Sequence, residues 1–140
     1  MKRFVLKFLI FLIPLIIFSC VNFNYSNIGN MKDILLGAIA LGSSCLGFFI
    51  AGVSIMQTTN FSRFYKKLVE LGTNKKITAW LMAAIGYFFL LAFLSLFLLF
   101  FTNVENMFVQ MLFNIWLSTL TAAFISSLFV TVIIIIVFSK

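Results

Sequence analysis

The chain has 140 residues, of which 64% are hydrophobic and only 9% charged. A soluble globular domain is about half apolar and about a quarter charged, so this composition describes an integral membrane protein and leaves no room for a separate soluble domain. The net charge of +7 does not point to nucleic acid, because the basic residues cluster at the ends of the apolar runs, as membrane topology demands. With no histidine and three carboxylates, imidazole metal sites and histidine acid–base chemistry are excluded.

The first apolar run, about residues 4–21, is near the minimum length for a span and carries Pro14 in its middle. Two readings compete. One is a transmembrane helix, kinked where proline removes a hydrogen bond. The other is a signal segment cleaved near Cys20. Ile17-Phe18-Ser19-Cys20 approaches a lipidation signal but puts a bulky phenylalanine where a small residue belongs. Asn22 to Asn30 is a turn-rich polar connection.

Residues 34–56 form the second span, twenty-three residues without a charge. Gly37, Ala40, Ser44, Gly47, Ala51 and Ser54 recur at spacings of 3, 4, 3, 4 and 3, which gathers them on one helix face. In lipid, small residues let backbones approach closely, whereas apolar bulk drives nothing. This seam is therefore expected to be the helix-packing surface of the bundle, with Ala79, Ala83 and Gly86 as its partners inside the chain. The alternative is a seam facing a pore or a second copy.

Residues 57–76 are the longest polar stretch. Phe61, Phe64, Tyr65, Leu68 and Leu71 fall on one helical face, with Arg63, Lys66, Lys67 and Glu70 on the other. Thr59 or Asn60 suits the start and Gly72 the stop. A short amphipathic helix on the membrane surface is expected, with Arg63, Lys66, Lys67, Lys75 and Lys76 facing lipid or a protein partner.

The third span covers about residues 77–102, with Trp80 as an interfacial anchor and a lipid-facing second half rich in phenylalanine and leucine. After a tight connection at Asn103–Asn106, the fourth covers about 108–138 and exceeds what the hydrocarbon needs. In it, Gln110, Asn114, Ser118 and Thr121 make one polar stripe. The stripe serves either interhelical hydrogen bonds or a water-lined path.

With the N-terminus inside, nine of the ten basic residues are cytoplasmic and only Lys32 is outside. The positive-inside rule therefore puts both termini in the cytoplasm and the protein in the inner, cytoplasmic membrane. The two cysteines, Cys20 and Cys45, give no disulfide or zinc pattern. No paired acids, nucleophile–base set or phosphate loop is present, so no cofactor and no enzymatic activity are expected. No ionisable residue lies within a span, which argues against ion-coupled transport and against the small four-helix multidrug exporters. A hydrophobically gated pore needs no charge, so a small oligomeric pore, holin-like or toxin-like, stays open as the alternative.

The run GFFIAGVSIMQTTN leading into the basic FSRFYKKL, Gly47 to Leu68, resembles small four-span membrane proteins of bacterial and prophage defence loci. Among these it looks like the membrane subunit of Kiwa-type anti-phage systems. The resemblance implies a membrane sensor that oligomerises and binds a cytoplasmic effector, and it supplies no catalytic residues. The expected fold is all-α: one integral-membrane four-helix bundle over 1–140, with a cytoplasmic amphipathic helix between spans two and three. The expected function is that of a non-enzymatic scaffold or sensor, embedded in lipid, homo-oligomeric and open to a cytoplasmic protein partner.

Overall fold

The computed structural model describes residues 2–21, 28–58, 69–70, 72, 74–101 and 106–138, with side chains for 9–21, 28–55, 69, 70, 72, 75–101 and 106–136. The fold is all-α. Four helices follow one another: α1 (Lys2–Val21), α2 (Met31–Thr58), α3 (Asn74–Leu99) and α4 (Met107–Phe138). Three of them, over Met31–Ile55, Lys75–Leu99 and Met107–Ile136, are long and apolar enough to cross a membrane. The described apolar part of α1, Leu9–Val21, is shorter. It runs helical through Pro14.

Helix ends follow local chemistry. Gly72 has φ +62 and its N–H reaches the carbonyl of Val69 at 3.0 Å. A left-handed residue at that place costs glycine nothing, so it suits the stop after the helical pair Val69–Glu70. Helix α3 then begins at Asn74, three residues before the expected start. It ends at Leu99, because Phe100 and Phe101 donate to the carbonyls of Phe97 and Leu98, three residues back. Such a tightened last turn satisfies carbonyls that the α pattern leaves open. Helix α4 is continuous for 32 residues, about 48 Å at 1.5 Å per residue.

The packed pairs are α2 with α3, α3 with α4, and α4 with α1. Helices α3 and α4 therefore hold the middle, and α2 and α1 flank them. Helix α3 buries Ile77, Leu81, Ala84, Phe88, Leu91, Ser95 and Leu98, spaced alternately by 4 and 3. That is a heptad face, the pattern of left-handed helix packing. Helix α2 answers with Met31, Leu35, Ala38, Gly42 and Phe49. Phe49 stacks on Phe88 with ring centroids 5.7 Å apart. Helix α4 buries Val109, Phe113, Trp116, Ala122, Ala123 and Val130, together with Ser118, Thr119 and Ser126.

Outside this core the helices are coated with bulk. Phe48, Phe89, Phe93, Phe100, Leu128 and Ile135 are all more than half exposed. In water so much exposed apolar surface would mark an interface. In a bilayer it is the solvent-facing side, and the second half of α3 carries it as the sequence leads one to expect.

Candidate functional site

Two surfaces stand out by residue type, the small-residue seam of α2 and the polar stripe of α4. The structure places the seam where it was not expected. Gly37, Ala40, Ser44, Gly47, Ala51 and Ser54 are all exposed. A Cβ built on Gly37 or Gly47 meets no atom within 4 Å. Of their expected partners, Ala79 and Gly86 are exposed and Ala83 is half-buried. Packing of this seam within the chain is thus corrected. The reason lies in a second heptad face on the same helix. Gly42 lets α2 approach α3 so closely that a Cβ there would lie 3.1 Å from the carbonyl oxygen of Phe88 and 3.2 Å from the Cβ of Ala92. That face has one glycine at the tightest point and Leu35 and Phe49 on either side. It offers close approach and apolar filling together, which the all-small seam lacks. Gly42 and Ser44 are two residues apart, about 200° around the helix. The seam therefore points away from α3, along roughly 26 Å of helix.

Along the α4 stripe the residues differ in burial. Ser118 is fully buried, and Gln110, Asn114 and Thr121 are half-buried. The hydroxyls bond their own helix: Ser118 Oγ donates to the carbonyl of Asn114 at 2.7 Å, and Thr121 Oγ1 to that of Ser118 at 2.9 Å. Gln110 Nε2 and Asn114 Oδ1 make a long contact of 3.5 Å. Hydroxyls turned back onto the helix backbone are the usual way of hiding polarity in a span.

An interhelical hydrogen bond joins α3 and α4 at another place. Trp116 Nε1–H donates to Ser95 Oγ at 2.6 Å, and Ser95 Oγ–H donates to the carbonyl of Leu91 at 2.7 Å. Both residues are buried, and the indole stacks on Phe113 at 5.6 Å. At the other end of the same interface Trp80 stacks on Phe129, centroids 4.7 Å apart. These two contacts fix α3 and α4 antiparallel and in register. Between these positions along α4, the small residues Ser118, Ala122 and Ser126 recur at i, i+4 and i+8 and are all fully buried. Ser126 Oγ is buried without a hydrogen-bond partner.

Of the basic residues, Lys75 and Lys76 are exposed at the start of α3. Arg63, Lys66 and Lys67, and with them most of the expected amphipathic helix, lie outside the described residues. Cys20 is exposed at the end of α1 and Cys45 half-buried on α2. Among the described residues no group of histidine, cysteine or acidic side chains is placed to hold a metal. No family model matches the chain, and no characterised protein or solved structure matches it.

Proposed function

We propose that this protein is a non-enzymatic membrane scaffold or sensor whose copies associate in the bilayer through the outward small-residue face of α2. The observation that carries the reading is that face itself. It holds six small residues in heptad spacing, runs nearly the depth of the hydrocarbon, and is exposed along its length, with open space at Gly37 and Gly47 among the described residues. Lipid tails pack against small residues no better than against leucine. A second helix gains close backbone contact there. The charge distribution supports four spans in the inner membrane with both termini cytoplasmic. The basic segment Arg63 to Lys76 then lies on the cytoplasmic face as the surface for a soluble partner. The resemblance of Gly47–Leu68 to Kiwa-type membrane subunits suggests anti-phage defence as the setting.

A pore would use the same oligomer differently, and ion flux separates the two. Purified protein in sealed liposomes is expected to leave the membrane tight. In cells, Lys66→Glu with Lys67→Glu is expected to abolish recruitment of the cytoplasmic partner. Flux that Asn114→Leu removes would instead make the protein a channel.

A further inference from the structure

Helix α4 is too long for the bundle it belongs to. The membrane-length stretches of α2 and α3 are 25 residues each, and that of α4 is 30. At 1.5 Å per residue these are about 37 Å and about 45 Å, against a hydrocarbon layer of about 30 Å. The contacts between α3 and α4 show where the excess lies. Leu99, the last residue of α3, is four residues past Ser95 and so level with Leu112, four before Trp116. Helix α4 begins more than a turn further out, at Met107, and Met107, Phe108 and Met111 are each more than half exposed. At the other end Lys76, four residues before Trp80, is level with Ile133, four past Phe129. Helix α4 continues to Phe138, with Ile135 exposed beyond the depth at which α3 is already charged. Tilting does not remove the excess. Fitting α4 into the hydrocarbon takes a tilt of roughly 48°, against a usual value of about 20°. Helix α3, held antiparallel beside it, would then cover only about 25 Å. Kinking does not remove it either, because α4 is unbroken over 32 residues and holds no proline or glycine.

We propose that α4 takes long-chain phospholipid around it, so that the protein is matched to hydrocarbon thicker than the ordinary layer. The exposed apolar side chains at both ends of α4 are then covered by methylenes instead of headgroups and water. Their burial is favourable, and it offsets the modest cost of thickening the bilayer locally. The inference rests on the membrane-spanning part of the proposed function and is independent of self-association.

The full chain would be reconstituted in phosphatidylcholine vesicles with dimyristoleoyl, dioleoyl or dierucoyl chains, in order of increasing length. Brominated dioleoyl phosphatidylcholine would compete with each. Bromine on the chains quenches tryptophan, so the fluorescence of half-buried Trp80 reads the relative affinity for each lipid. Wild type is expected to bind the dierucoyl lipid at least about twofold more tightly than the dioleoyl lipid, with the dimyristoleoyl lipid weakest. Met107→Asp with Met111→Asp trims the apolar face by about a turn at the helix N-terminus, where acids are tolerated, and should bring the tightest binding back to the dioleoyl lipid. Met107→Leu with Met111→Leu should keep the wild-type order. Ile135→Asp trims the opposite end, should shift the order the same way, and stands in if the first variant does not fold. A wild type that binds the dioleoyl or the dimyristoleoyl lipid most tightly would overturn the proposal, and so would an unchanged order in the trimmed variants. Bromine that quenches in no vesicle would overturn the membrane-spanning reading along with it.

Discussion

Single side chains decide how this bundle keeps its polar atoms out of lipid. Trp116 and Ser95 form a polar clasp between α3 and α4, and its two halves are not equivalent. Ser95 still bonds the carbonyl of Leu91 when the indole donor is gone. Among the described residues the indole N–H has Ser95 Oγ as its one acceptor. Trp116→Phe, which keeps the ring against Phe113, is therefore expected to cost about 1 kcal/mol or less, the range for interhelical hydrogen bonds in membranes. Ser95→Ala leaves a buried donor unpaired and is expected to cost more, about 1–3 kcal/mol. Unfolding of the two variants in one detergent measures the difference, and a costlier Trp116→Phe would refute the asymmetry. Neither residue is conspicuous in the sequence. A lone serine amid leucines and a tryptophan ten residues into a span carry no pattern, and only the packing register brings them together.

At the scale of the element, α2 has two faces and the sequence advertises the wrong one for packing within the chain. Small residues at 3, 4, 3, 4, 3 are a clear periodic signal, and the periodicity is real: all six do share one face. What periodicity cannot give is which face meets which neighbour. The face that meets α3 mixes Leu35, Gly42 and Phe49, and looks less regular because its members differ in size. Two glycines test the assignment. At Gly42 an added side chain runs into the backbone of α3, so Gly42→Val is expected to destabilise the fold by about 1–3 kcal/mol, the cost of overpacking. At Gly37 there is open space. Gly37→Ala is expected to be neutral or to stabilise by up to about 1 kcal/mol, through helix propensity. The thermal midpoint of Gly42→Val should fall while that of Gly37→Ala holds or rises, and equal losses would contradict the assignment. The helices themselves were legible from hydropathy and from Gly72, with ends displaced by at most about three residues. The ends depend on capping and on the last-turn hydrogen bonds, which apolar runs do not reveal.

For the molecule as a whole, the order α2, α3, α4, α1 of packed neighbours makes the middle of the bundle self-sufficient and leaves α2 turned outward. In the polar stripe of α4, the hydroxyls of Ser118 and Thr121 bond their own backbone. The proposed function rests on the outer face of α2 together with the basic residues that follow it in the chain. The account's central claim is that this face joins copies of the protein. Single-molecule photobleaching of the labelled protein in liposomes, at rising protein-to-lipid ratio, tests it most directly. Wild type is predicted to show more than one bleaching step per spot, with the share growing to saturation. Gly47→Ile fills open space on the seam without touching α3 and is predicted to bleach in single steps while remaining folded. Single steps from wild type at every density, or unchanged association in Gly47→Ile, would contradict the claim.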